Sequence, residues 1–212
     1  MNSSIDWVKE VKPLLKKYHG KKHPLNYSTI YELMVMTILA ARDSDRRINE
    51  KAPKLFESFP DMKSLSQGNE EDIKSLIAGI VNFRNKTKWL MNLAQTVKED
   101  KNIPFTLDEL TKLPGIGRKT ANVIMHEAKA IPEGVIVDLH VLRVSPRLGI
   151  ATGTNAEKIE KQIMEVIPKK EWGEIGMAIS FLGREICRPQ KPKCTECVMN
   201  KVCVYFNNAS SK

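Results

Sequence analysis

The sequence predicts an all-α protein. Apolar residues recur at the three- and four-residue spacing of helices almost throughout, strand-like alternation is absent, and prolines and capping signals fall at helix-length intervals. Trp7, Val11, Leu14, Leu15 and Tyr18 make a first stripe, and Ile30, Leu33, Met34, Thr37, Ile38 and Ala41 a second. Thr29 with Glu32, Thr106 with Glu109 and Thr154 with Glu157 read as capping boxes, in which hydroxyl and carboxylate satisfy the free N–H groups of a helix start. Pro24, Pro53, Pro60, Pro104, Pro114, Pro132, Pro146 and Pro168 punctuate these segments, which predicts about ten helices joined by short loops. The polar tail Asn207 to Lys212 is expected to fray.

With 212 residues and 42% hydrophobic content, the chain can bury one full core or two modest ones. No apolar run approaches the roughly eighteen residues of a membrane span, and Met1 to Asp6 lacks the apolar stretch of a signal peptide. A soluble intracellular protein without a membrane partner is expected. Thirty-four Lys and Arg against twenty-five Asp and Glu leave a formal charge of +9, which favours a polyanion, with nucleic acid foremost.

All four cysteines fall within the last twenty-six residues, as Cys187, Cys194, Cys197 and Cys203 in the spacing C-x6-C-x2-C-x5-C. Cysteines used as small core residues would be scattered, so one shared ligand is indicated. Pro189, Pro192 and the short C-x2-C step supply the turns that close such a loop. Spacing leaves zinc and a four-iron cluster both open, since each takes four thiolates. Two disulfides are the plainer alternative, disfavoured because such frameworks belong mostly to small secreted domains.

After helix 106–112 comes Leu113-Pro114-Gly115-Ile116-Gly117-Arg118-Lys119-Thr120, and a second helix follows. Gly115 and Gly117 are expected to permit positive φ and, lacking Cβ, to let a phosphate reach the N–H groups that open that helix. An ordinary turn whose glycines merely end a helix is the alternative. Arg118 and Lys119 at the helix start, in a basic chain, favour contact with a DNA backbone, a grip that reads no sequence.

Leu-Pro-Gly-Ile-Gly-Arg-Lys-Thr-Ala-Asn-Val at 113–123, Val-Asp-Leu-His-Val at 137–141 and the four cysteines together resemble endonuclease III of the helix-hairpin-helix DNA glycosylases. The resemblance spans most of the chain. It implies a [4Fe-4S] cluster on the cysteines and two helical domains. Residues 23–133 would form a six-helix domain with the helix-hairpin-helix at about 106–130. Residues 1–22 and 134–212 would form the iron-sulfur cluster domain, with its cluster loop at 187–203 and a DNA-binding cleft between the two domains.

The resemblance also implies a bifunctional DNA glycosylase and abasic-site lyase of base excision repair, acting on damaged pyrimidines, with oxidised ones expected. Breaking the C1′–N bond leaves a sugar with oxocarbenium character. Lys119, near the positive end of a helix in a site that DNA would dry, is suited to attack C1′ and form a Schiff base. The acidified 2′ proton can then leave with the 3′ phosphate by β-elimination. Asp138 would stabilise the cationic sugar and assist proton transfer. Taken singly, Lys119 reads as a phosphate contact and Asp138 as the N-cap of a helix beginning near Leu139; their place in the family pattern makes them the catalytic pair. His140 stays outside that pair. The target base would have to rotate out of the duplex.

Three departures bear on substrate range. Arg42 stands where the family commonly has a glutamine that fills the gap left by the extruded base, and its guanidinium can pair bidentately with guanine. Asn82 stands where an apolar wedge is often found, and Leu139 replaces the usual threonine after the aspartate. In the cysteine loop, Lys191 and Lys193 are expected DNA-phosphate contacts within a stretch, 184–203, that carries five Lys or Arg against two Glu. The expected partner is double-stranded DNA with damaged bases or abasic sites, bound by a monomer in a prokaryotic cytoplasm. Rival readings are a mismatch-specific uracil, thymine or adenine glycosylase, and a non-enzymatic iron-sulfur DNA-binding protein. An adenine enzyme needs a carboxylate before Arg42, yet none lies between Glu32 and Asp43, and a uracil or thymine enzyme typically lacks a lysine at 119.

Overall fold

The computed structural model describes residues 5–210, the side chains of residues 209 and 210 apart, so residues 1–4 and 211–212, which the terminal readings above include, lie outside the described residues. The chain divides into two compact units. One takes in the chain up to Lys21 and from Ile131 onward, and the other is Lys22–Ala130. Among the described residues every regular element is helical, in agreement with the all-α prediction.

The split unit opens with α1 (Trp7–Glu10) and α2 (Lys12–Tyr18). The stripe predicted as one helix is two, because Pro13 sits in the first turn of α2 and has no N–H with which to continue the ladder of α1. The contiguous unit holds α3 (Ile30–Ala40), α4 (Asp45–Ser58), α5 (Met62–Gln67), α6 (Glu70–Leu76), α7 (Phe83–Val97), α8 (Leu107–Lys112) and α9 (Arg118–Glu127). Leu33 to Leu39 are all buried, so α3 is the central rod of this unit and not a striped surface helix. The other helices are amphipathic around that core: α4 buries Ile48, Ala52 and Leu55, and α7 buries Leu90, Leu93, Ala94 and Val97.

The split unit resumes with α10 (Leu139–Leu148), α11 (Ala156–Val166), α12 (Trp172–Glu185) and α13 (Val204–Ser210). Ile175 to Gly183 are buried without a break, which makes α12 the spine, and Tyr18 of α2 stacks on its Phe181 with ring centroids 5.8 Å apart. The helices outnumber the predicted ten because of the break at Pro13 and because α5 and α6 are short separate turns. Pro53 and Pro146 lie inside α4 and α10 instead of between helices. Each forgoes one ladder hydrogen bond, a loss that an outward or half-buried helix face tolerates. Residues 207–210 of the polar tail are helical. They continue α13, which is anchored by Asn207 N–H to Cys203 O (3.0 Å) and by the Arg147 guanidinium 4.8 Å over the Tyr205 ring.

The predicted caps are met in part. Thr29 and Thr106 cap α3 and α8 by accepting from the N–H groups of Glu32 (3.1 Å) and Glu109 (3.3 Å). The return half differs: Glu32 takes the N–H of Ser28, and Glu109 the hydroxyl of Thr106. The full reciprocal box is between Asp61 and Ser64 at the start of α5. At α11 the cap is Asn155 and not Thr154. Asparagine is at least as strong a cap as threonine, and it stands one residue nearer the helix.

Candidate active site

The glycine hairpin joins α8 to α9 over a buried base of Leu113, Ile116, Ala121 and Ile124. Gly115 has φ +78°, and a Cβ there would stand 3.3 Å from Trp89 and 3.4 Å from Ile38. Gly117 departs from the prediction. Its φ is −93°, ordinary extended backbone, and it N-caps α9 with nothing within 4 Å of a would-be Cβ. Open space and uncapped N–H groups, not a left-handed turn, are what glycine provides at that position. Gly117, Arg118 and Lys119 are exposed. Lys119 is the second residue of α9 and makes no hydrogen bond or ion pair among the described residues.

Asp138 belongs to the split unit, and small residues of α12 set its position. A Cβ on Gly176 would lie 2.6 Å from Ile136 O, and one on Gly183 would lie 2.8 Å from His140 Cβ, so both glycines admit the chain leading into α10. Ser180 lies between them on the same helix face. Upstream, Val135 N–H donates to the buried Glu160 Oε1 at 3.1 Å. Asp138 N-caps α10. Its Oδ1 accepts from the N–H groups of His140 and Val141, both at 2.8 Å, and its Oδ2 accepts from Ser180 Oγ at 2.6 Å. Arg184 Nη2 stands 3.9 Å from the same oxygen. The capping role weighed in the sequence is therefore present, and the carboxylate is held from three sides with 13% of its side chain exposed. Leu139 beside it is 79% exposed. The His140 ring faces Arg143 Nη2 at 3.2 Å.

No disulfide joins the four cysteines, which line one cavity with Leu148, Leu182 and Ile186. Burial pushes the Cys194 and Cys197 thiols up, and neighbouring cysteines push them further. Two arginines of α10 gather the loop. Arg147 donates to Arg188 O (2.8 Å) and Pro189 O (3.1 Å) and points Nη1 at Cys187 Sγ (3.6 Å), while Arg143 donates to Cys187 O (3.2 Å). Among the described residues no group of three or more His, Cys, Asp or Glu side chains is placed to hold a single metal ion. Lys191 is exposed, with φ 47° and no partner among the described residues. Lys193, by contrast, lies 3.5 Å from Glu196.

Arg42 and Asn82 both sit on exposed turns of the contiguous unit in left-handed backbone, at φ 61° and 59°. That conformation explains a polar residue at 82, because asparagine tolerates it far better than a branched or bulky apolar side chain. Val81 next to it is 43% exposed. Ser180, Arg184, Asp43 and Lys86 join these surroundings only in the folded structure. The pattern Gly176, Ser180, Gly183 marked a close-packed helix face in advance, whereas nothing local marked the other three.

A glycine hairpin opening a helix with two cations marks a helix-hairpin-helix class of DNA-binding protein. A family model described as HhH-GPD superfamily base excision DNA repair protein matches residues 35–169. Endonuclease III of Synechocystis is 39% identical over 206 residues, covering 96% of this chain and 94% of its own. That of Rickettsia prowazekii is 36% identical over 189 residues, covering 88% and 89%. A solved structure of a trapped endonuclease III–DNA covalent intermediate matches with a TM-score of 0.85 at 31% identity, over 95% of this chain and 96% of that one. The chain belongs to the endonuclease III family of the HhH-GPD base excision DNA repair proteins. Among the described residues no helix is long and apolar enough to cross a membrane.

Proposed function

We propose that this chain is a DNA glycosylase and abasic-site lyase that removes damaged pyrimidines, oxidised ones foremost, from double-stranded DNA, acting as a cytoplasmic monomer. The observation that carries the reading is Lys119: an unpaired, exposed amine on the first turn of α9, directly after the glycine hairpin. The covalent DNA intermediate trapped in a relative supports it.

In this reading the uncapped N–H groups behind Gly117, with Arg118, bind the DNA backbone and bring the sugar to Lys119. The neutral Lys119 amine attacks C1′ as the C1′–N bond breaks, and the base leaves with a proton. The C1′–O4′ bond of the adduct then breaks, the amine proton passing to O4′, which opens the ring and gives the imine. The 2′ proton is then removed, the C3′–O bond breaks with departure of the 3′ phosphate, and water releases Lys119. Asp138, held by its cap hydrogen bonds and Ser180, supplies fixed negative charge to the cationic sugar and relays protons.

Cys187, Cys194, Cys197 and Cys203 would hold a [4Fe-4S] cluster. Four thiols on one cavity suit it, and one tetrahedral zinc would need its sulfurs drawn to within about 3.8 Å of each other by its ~2.3 Å bonds. With all four corners taken by thiolates, the cluster supplies shape or electron transfer and no open position for substrate. The basic loop it pins would present Lys191 and Lys193 to phosphate.

The test is borohydride trapping on duplexes carrying thymine glycol, dihydrouracil, uracil or an abasic site. Wild type is expected to be trapped and Lys119→Ala not to be. Undiminished trapping without Lys119 would overturn the nucleophile. Tight DNA binding with no trapping on any duplex would point to a non-enzymatic binding protein.

A further inference from the structure

The two left-handed turns at Arg42 and Asn82 are joined by side chains that straddle them. Lys86, on a residue 1% exposed, donates Nζ to Leu39 O (2.7 Å) in the last turn of α3 and to Ala41 O (2.8 Å) at its C-cap. Asp43, its side chain 4% exposed, accepts the Val81 N–H through Oδ2 at 2.8 Å and the Ser44 N–H through Oδ1 at 2.8 Å. Residue 41 is thus tied to 86, and residue 43 to 81. Arg42 is held through both of its neighbours, and Asn82 through Val81 on one side and through Lys86, one turn into α7, on the other. Two outer struts repeat the pattern, from Lys51 Nζ to Ala78 O (2.7 Å) and from Arg47 Nη1 to Gly79 O (3.4 Å).

These bridges are costly. A buried ammonium loses its hydration, and left-handed backbone at a non-glycine residue is strained and persists only where its surroundings over-determine it. The Asp43 carboxyl stays below its ordinary range: burial raises it, but the N–H groups of Val81 and Ser44 and the charge of Arg47 outweigh that. The cost is concentrated beneath two exposed tips, one of which, Arg42, has no partner among the described residues.

We propose that Asp43 and Lys86 are positioning residues that lock Arg42 and Asn82 into one preformed, two-tipped probe for duplex DNA opened at an extruded nucleotide. This rests on the repair-enzyme reading above. A rigid probe enters the gap without first ordering two loops, so its binding energy is not spent on that ordering.

The test compares wild type, Asp43→Ala and Asp43→Asn, the last keeping one acceptor oxygen. Two readouts are taken: fluorescence of 2-aminopurine placed opposite a tetrahydrofuran abasic analogue, and the ratio of borohydride-trapping rates at a true abasic site with guanine or adenine opposite. Both are measured below the melting temperature found for each variant. Asp43→Ala is expected to bind the analogue duplex about tenfold more weakly, with a damped fluorescence change and a trapping ratio moved toward one. Asp43→Asn should recover most of both. An Asp43→Ala protein that discriminates as well as a discriminating wild type overturns this proposal alone. A wild type that neither binds nor is trapped overturns the repair-enzyme reading, and this proposal with it.

Discussion

Ser180 Oγ lies 2.6 Å from Asp138 Oδ2, on a carboxylate whose other oxygen already closes the first turn of α10. Under the mechanism proposed above, one aspartate has two separable jobs. Asp138→Asn keeps an excellent cap and loses the charge, so melting should barely change while trapping slows by about 10²-fold or more. Asp138→Ala should lose the same activity and about 1 kcal/mol of stability besides. Ser180→Ala frees one oxygen without disturbing the cap, and a tenfold slowing is expected, roughly the worth of one hydrogen bond to a charged group. Denaturant melts beside single-turnover trapping separate these outcomes.

The hairpin glycines should respond in opposite ways. Gly115→Ala forces a Cβ into left-handed backbone against Trp89 and Ile38, and should cost on the order of 1–2 kcal/mol in denaturant melts. Gly117→Ala meets no atom and an allowed φ, so stability should hold, while affinity for any DNA duplex falls because the methyl stands where phosphate would approach. Unchanged affinity in Gly117→Ala would argue against backbone gripping at this turn.

Lys191 and Lys193 are not equivalent. Lys191→Ala should lower the slope of log affinity against log salt by about one, with base preference unchanged. Lys193 already faces Glu196, so its removal should change the slope less. Equal slopes for wild type and Lys191→Ala would remove the loop from the DNA contact.

Cys194→Ser should deplete iron and the visible absorbance of a cluster, and loosen the 187–203 loop. DNA affinity should then fall before the trapping rate at saturating DNA does. Metal analysis of the wild-type protein decides the occupant directly, since zinc in place of iron would overturn the cluster.

What was legible in the sequence was local. The stripes, the Thr29 and Thr106 caps, the hairpin and the cysteine spacing each depend on residues within a turn or two of one another. Where two local signals competed, the nearer or stronger one won, as Asn155 did over Thr154. Backbone handedness was not legible: Gly117 proved extended, while Arg42, Asn82 and Lys191 proved left-handed. Partnerships across the chain were hidden too. Nothing near Asp138 announces Ser180, forty-two positions on, and nothing near Asp43 announces the N–H of Val81.

One unit is built from both ends of the chain, and this orders events at the ribosome. Lys22–Ala130 can finish its core while the rest is still being made, whereas Trp7, Val11, Leu14 and Tyr18 must wait for α12 to emerge before their apolar face is covered. During that interval the first helices are sticky, and a message truncated between Leu139 and Trp172 would leave them so permanently. Such fragments should be cleared by proteolysis or should aggregate, even though they already carry the whole glycine hairpin and Asp138.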